Sequence, residues 1–250
     1  MRRYISPPLP LNAWLRYDLI RRSLLEHARD ARTMLEIGAG NGAIGARLAR
    51  TYDYTGLEPD PAAFAKAEAR IRPNSSAHIM CADSFALDPS ASFDVVCSFE
   101  VLEHLKDDRS ALDHWRTKVR PGGWLVLSVP ARPTRFGRHD RVVGHYRRYD
   151  AGGLEGLLRD CGFDEVRVRT CGFPLGYVLE AARNIVARAA RGRGGRSMEE
   201  QTAASGRWLQ PPEAIGWLTA AVAAPFRLVQ RPFAGTRFGT GLVAVARRPG

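Results

Sequence analysis

Apolar residues follow two rhythms along this chain. Short apolar runs at 33–37, 51–58, 77–81, 93–99 and 119–130, an alternating run at 165–170 and a last run at 238–247 predict β-strands. The stretches between them follow helical spacing instead. Trp14, Leu15, Leu19, Ile20 and Leu24 predict an amphipathic helix over 12–30, and further helices are expected over 43–50, 62–71, from Glu100 onward and over 154–161. Strands that alternate with helices predict an α/β fold, a doubly wound open sheet. Nearly uninterrupted apolar strands such as Val95-Val96-Cys97 suit a sheet covered on both faces.

Two later stretches break the alternation. Leu175, Val178, Leu179, Ala182, Ile185 and Val186 form one helical stripe within 174–188, and Ile215, Leu218, Val222, Phe226 and Val229 form another within 215–229. An arginine- and glycine-rich segment, 191–200, joins them and predicts a mobile basic loop. The expectation is a single domain over 1–250: an N-terminal cap helix (1–30), a core (31–170), a helical insertion (171–236) and a final strand with a tail (237–250). The insertion reads as a lid or an extra core layer, with dimerisation and membrane or lipid docking as the alternatives.

Composition adds a net charge of +11, but only three of the 37 basic residues are lysine (Lys66, Lys106, Lys118), so where the arginines cluster says more than their number. Cys81, Cys97, Cys161 and Cys171 form no CxxC pair, which predicts reduced, core-packed thiols and a cytoplasmic protein. The basic start is not followed by the apolar run of a signal peptide, and the longest nearly uncharged stretch is too short to span a bilayer.

The chemistry begins at Leu35-Glu36-Ile37-Gly38-Ala39-Gly40-Asn41-Gly42. A strand that runs into glycines at alternate positions turns sharply and lets a ligand approach its backbone. The helix expected behind it would aim amides at that ligand. Glu58 lies about twenty positions past Gly38, where a doubly wound fold places the carboxylate that accepts from ribose hydroxyls, and Asp60 is the reserve. Asp83, after the third strand, is placed to accept from an adenine amino group or to cap the next turn.

The ordered set of the glycine loop, Gly56-Leu57-Glu58, Ala82-Asp83, Phe93-Asp94-Val95-Val96, Glu100-Val101-Leu102-Glu103-His104 and Arg120-Pro121-Gly122-Gly123 resembles the class I S-adenosylmethionine-dependent methyltransferases over about residues 33–130. The resemblance implies a seven-stranded, mostly parallel, Rossmann-like sheet with S-adenosylmethionine as cofactor. It implies that Glu36 and the backbone at Gly38, Ala39, Gly40 and Asn41 hold the methionine moiety, with Ser98 and Phe99 at the same end. Glu58 with Pro59 would hold the ribose, and Asp83 with Ala82 and Ser84 the adenine.

Past the fifth strand comes a charged segment with Arg132, His139 and Gly144-His145-Tyr146-Arg147-Arg148-Tyr149, similar to a subgroup of these methyltransferases. Its position on the carboxyl edge of the sheet is where substrates dock. His145 is therefore the first candidate base, with Tyr146 and His104 next, while Arg132, His139, Arg147, Arg148 and Tyr149 join it as acceptor-binding candidates. A loop-orienting role for His145 and a solvated role for the arginines remain open. The leading function is methyl transfer to a small molecule, a natural product or an amphipathic or lipid-linked metabolite, anionic if the arginines bind it. A metal-assisted RNA ribose methyltransferase is the alternative, because Glu100, Glu103, His104 and His145 are similar to a metal-binding set of small-RNA methyltransferases. Leu105 stands where that set has a second adjacent histidine, and no metal is assigned. A cofactor-binding protein without catalysis is the third reading.

Overall fold

A strand buried on both faces needs apolar side chains on both, and the chain supplies them in the centre of one sheet. The computed structural model describes residues 7–73, 76–189 and 216–250. Its strands are β1 (Thr33–Ile37), β2 (Asp53–Leu57), β3 (His78–Met80), β4 (Phe93–Phe99), β5 (Val119–Pro130), β6 (Asp164–Cys171) and β7 (Gly241–Arg247). They form a seven-stranded sheet in the order β3-β2-β1-β4-β5-β7-β6. Pairing is parallel from β3 to β5, and β7 runs antiparallel to both β5 and β6. The order reverses between β1 and β4, so a crevice opens beyond their carboxyl ends.

Alternate side chains of β1 enter two cores. Leu35 and Ile37 pack with Leu112 and Trp115 of α4 (Asp108–Lys118) and with Leu154 and Leu158 of α6 (Ala151–Asp160). Met34 packs on the opposite face with Leu19, Ile20 and Leu24 of α1 (Leu11–His27) and Ala67 and Ile71 of α3 (Pro61–Ile71). Each such buried aliphatic side chain contributes about 1.5–3 kcal/mol, which holds α1 against the sheet despite its many arginines. Asp60 caps α3 by accepting from the Ala63 amide at 2.9 Å, with Pro61 in the first turn.

Four expectations are corrected. The helix behind the glycine loop is α2, only Gly45–Leu48, and its first residue packs so tightly on Tyr54 and Glu36 that no side chain fits there. Glu100 does not open a helix: it sits at φ 58°, and only a 3-10 turn over Leu102–His104 follows. Three cysteines are buried, but Cys81 is exposed at the short edge strand β3; all four are free thiols. The fourth concerns the insertion.

There the two helices are α7 (Leu175–Ala189) and α8 (Gly216–Val229). The predicted apolar stripe of α7 faces solvent, with Val178 66% and Ile185 62% exposed, while Glu180 is buried. Polar Glu180 faces inward because Arg148 and Arg135 neutralise it there. On α8, Leu218, Val222 and Val229 are likewise exposed and Ala223 is buried. The helix docks on α1, where Arg227 pairs with Asp18 at 2.9 Å and the Gln230 side chain bridges the Leu15 carbonyl and the Gly172 amide. The 191–200 loop and Ile215 lie outside the described residues. Among the described residues, no helix is long and apolar enough to cross a membrane.

Candidate active site

Three glycines in the left-handed region, Gly38 (φ 75°), Gly40 (φ 56°) and Gly42 (φ 71°), shape the loop after β1. They have different tasks. A Cβ on Gly42 would lie 2.7 Å from the Ala67 Cα, so this glycine lets α3 approach the loop. A Cβ on Gly40 would meet nothing within 4 Å, and its amide donates to Glu58 Oε2 at 2.7 Å. Glu58 Oε1 also accepts from the Asp60 amide, at 2.9 Å, so one carboxylate ties together the loops after β1 and β2. Burial raises the Glu58 pKa, and these two amide bonds partly offset the rise.

These loops form one side of a cavity of about 1030 Å³. That volume lies at the top of the range for single-ligand pockets, roughly 300–1,000 Å³, and leaves room for a donor and an acceptor together. Of the expected cofactor residues, Gly38, Gly40, Glu58, Pro59, Ala82, Asp83, Ser84 and Phe99 line it. Asp83 also caps the 3-10 turn Ser84–Ala86, its Oδ1 accepting from the Phe85 amide at 2.9 Å, which is one of the two tasks the sequence left open. Ala39, Asn41, Glu36 and Ser98 are buried outside the lining. Ser98 Oγ donates to the Ile37 carbonyl at 3.1 Å, tying β4 to β1.

Glu36 points away from the cavity, its Oε2 accepting from the Tyr54 hydroxyl at 2.5 Å. Burial pushes its pKa up to about 8; the Tyr54 hydrogen bond opposes this and the Glu58 charge adds to it. A carboxyl whose folded pKa exceeds its unfolded value stabilises fully below about pH 4.5 and loses that contribution as pH rises toward 8. Glu36→Gln should therefore raise the melting temperature relative to wild type at pH 9 but not at pH 5. Equal differences at both pH values would show that Glu36 is not the buried titrating group.

The other side of the cavity comes from the charged segment. Asp140, in α5 (Arg138–Val143), is buried, and its Oδ1 accepts from His145 Nδ1 at 2.8 Å and from Arg148 Nε at 2.8 Å. Burial alone would raise the Asp140 pKa, but hydrogen bonds from His145, Arg148 and the Gly137 amide hold it well below the carboxylate range. An anionic Asp140 fixes the proton on His145 Nδ1, which leaves Nε2 as an acceptor. His145 and His104 are in edge contact, with ring centroids 4.6 Å apart. Burial and the neighbouring His145 lower the His104 pKa to about 4, so it is neutral near pH 7.

His104, His139, His145, Tyr146 and Arg148 line the cavity, whereas Arg132, Arg147 and Tyr149 do not. Arg132 donates to the Tyr177 hydroxyl at 2.7 Å, Arg147 pairs with Asp108 at 2.7 Å, and Tyr149 donates to Asp108 at 2.8 Å. Arg148 is itself committed, bidentate to Asp140 and paired with Glu180. The sequence reading missed Arg16, which pairs with Glu100 at 2.9 Å, and Glu180 and Arg183 of α7. No motif marks them. The apolar stripe of α7 drew attention to the face that the fold turns outward.

Comparisons with known proteins bear on the family and the fold. A family model described as a methyltransferase domain matches residues 11–168. A probable S-adenosylmethionine-dependent methyltransferase of Mycobacterium tuberculosis (strain H37Rv) is 32% identical over 230 residues, covering 87% of this chain and 77% of that protein. A similarly described protein of Mycolicibacterium smegmatis is 33% identical over 157 residues, 61% of this chain and 60% of the relative, so the match spans less than two thirds of that relative's length. The N-methyltransferase NodS of Bradyrhizobium japonicum, solved with S-adenosylhomocysteine, shares the fold at a TM-score of 0.57 and 22% identity, over 94% of this chain and 86% of NodS. The chain belongs to the class I S-adenosylmethionine-dependent methyltransferases.

Proposed function

We propose that the enzyme methylates a small molecule bound between the 139–148 segment and α7, with His145 as the base. The observation that carries this reading is the Asp140–His145 pair at 2.8 Å on the cavity wall. The cofactor supplies an electrophilic sulfonium methyl. Glu58 would hold its ribose, Asp83 its adenine, and Phe99 with the Gly38 and Gly40 backbone its methionine end, which would orient it toward an acceptor bound beside His145. His145 Nε2 removes the acceptor's proton, Asp140 stabilises the imidazolium that forms, and Tyr146 and His104 complete the wall around it. The outward apolar residues of α7 and α8 favour an amphipathic or lipid-linked acceptor presented from a membrane surface.

Transfer of labelled methyl from S-adenosylmethionine to a panel of small phenols, amines and lipid-linked acceptors tests the reading. His145→Ala should lower turnover by about 10²–10⁴-fold, the usual share of a general base. Transfer to RNA, and to none of the small acceptors, would overturn it.

A specific observation favours a second, metal-assisted reading. Ligand atoms of Glu103, His104 and His145 lie within 4.8 Å of one another. Glu103 is fully buried, with neither carboxylate oxygen hydrogen-bonded, and burial first, then the Glu100 charge, raises its pKa well above the carboxylate range. Either a proton or a divalent cation would satisfy it, and Asp140 behind His145 is the kind of support that metal-binding histidines receive. Elemental analysis with chelation decides: full activity in a metal-free sample leaves Glu103 protonated, whereas lost activity restored by Mg²⁺ establishes the metal.

A further inference from the structure

The guanidiniums around the acceptor side of the cavity are not equivalent. Arg16 pairs with Glu100, Arg135 with Glu180, and Arg148 with both Asp140 and Glu180. Arg183, one turn after Glu180 on α7, lines the same cavity, and among the described residues it has no ion pair; its Nε is buried without a hydrogen-bond acceptor. Burial, the main cause, lowers its pKa; the Glu100 and Glu180 charges oppose this, and the Arg16 and Arg148 charges add to it. His139 does not compensate. Burial, with the Arg183 charge second, lowers its pKa to about 4 and keeps it neutral.

Arg16, Arg148 and Arg183 therefore face Glu100, Asp140 and Glu180, while Glu180 is also shared with Arg135. Among the described residues, Arg183 is therefore the guanidinium of this wall with no direct ion pair: Glu100 and Glu180 act on it only from a distance, each being paired with another arginine. A desolvated guanidinium is costly until an anion reaches it, and its planar fork matches a carboxylate or phosphate.

We propose that Arg183 binds an anionic group of the methyl acceptor, and that the enzyme selects acceptors carrying a carboxylate or phosphate at one end and an apolar body. This rests on the small-molecule reading above. The cofactor's own carboxylate is the other source of the same chemistry. Arg183 sits on α7, which packs on α5 of the acceptor segment through the Asn184 side chain, its Oδ1 accepting from the His139 amide at 3.1 Å. That position assigns Arg183 to the acceptor.

The test uses the full chain saturated with S-adenosylhomocysteine. Straight-chain carboxylates of four to twelve carbons are titrated beside their neutral primary amides, and Arg183→Gln and Arg183→Lys are compared with wild type by calorimetry. Carboxylates should bind wild type at least tenfold more tightly than their amides. Arg183→Gln should abolish that preference, Arg183→Lys should restore part of it, and the affinity for S-adenosylhomocysteine should stay within about twofold throughout. Equal binding of acids and amides, or no binding of either, overturns the assignment while wild-type methyl transfer to small acceptors still stands. A tenfold loss of S-adenosylhomocysteine affinity in Arg183→Gln also overturns it and gives Arg183 to the cofactor. The small-molecule reading fails separately, by the absence of any methyl transfer to free small acceptors.

Discussion

Replacing Glu58 with alanine is expected to raise the dissociation constant for S-adenosylhomocysteine by about two to four orders of magnitude while the protein stays folded. The carboxylate accepts from the Gly40 amide at 2.7 Å and the Asp60 amide at 2.9 Å, and it lines the cavity. Each hydrogen bond to a charged group is worth about 1.5–3 kcal/mol, and about 1.4 kcal/mol is tenfold in affinity. Without Glu58 the glycine loop loses its tether, and the ribose loses its acceptor. Because Glu58 must be ionised for this, and burial raises its pKa, cofactor binding should weaken at a higher pH than for an exposed glutamate as acid is added. Calorimetric titration checks both statements. Asp60→Ala is the control: it removes the cap of α3, at a cost of about 1 kcal/mol of stability, and should leave cofactor affinity nearly intact. An unchanged dissociation constant for Glu58→Ala would remove Glu58 from the cofactor site.

Arg148→Ala should unfold at a markedly lower temperature. The side chain is 5% exposed, bidentate to Asp140 at 2.8 and 2.7 Å and paired with Glu180. Removing one partner of a buried ion pair costs about 3–5 kcal/mol, because the carboxylates left behind remain buried and uncompensated. In a chain of this size each kcal/mol moves the melting temperature by about 2–4 °C, so a fall of roughly 6–20 °C is expected. The pH dependence has a definite sign. Asp140 is held well below its ordinary value in the folded state, so its contribution is present above the unfolded carboxylate pKa near 4 and fades as pH drops below it. The gap between wild type and Arg148→Ala should therefore narrow below about pH 4. A difference under 1 kcal/mol in urea unfolding at pH 7 would show that the network is solvated rather than buried. The same change also frees Asp140, so His145 loses its fixed orientation and turnover should fall with stability.

Much of the donor half of the site was legible because its determinants are local. Gly38, Gly40, Glu58 and Asp83 sit at the ends of strands whose apolar runs announce them, and a strand end in a parallel sheet fixes which edge a residue reaches. The acceptor half was legible only as a charged segment. Whether Arg132, Arg147 or Arg148 meets a substrate depends on which acceptors the fold brings within reach, and the Tyr177 hydroxyl and the Asp108 and Glu180 carboxylates take them up from 32 to 45 positions away. The place of Glu36 outside the cavity lining has the same cause, since its partner Tyr54 belongs to the neighbouring strand.

The amino-acid sequence by itself determined the sheet, its helices on both faces and the glycine loop, because hydrophobic period and strand-end chemistry are written in consecutive residues. Only the tertiary structure decided that α7 turns its apolar stripe to solvent and Glu180 and Arg183 inward, since a helix with two plausible faces is oriented by its partners. It also decided that His145 leans on Asp140 and that Arg183, among the described residues, has no direct ion pair. Both facts depend on side chains from separate elements meeting in three dimensions, where charge balance and desolvation, rather than spacing along the chain, set what each residue does.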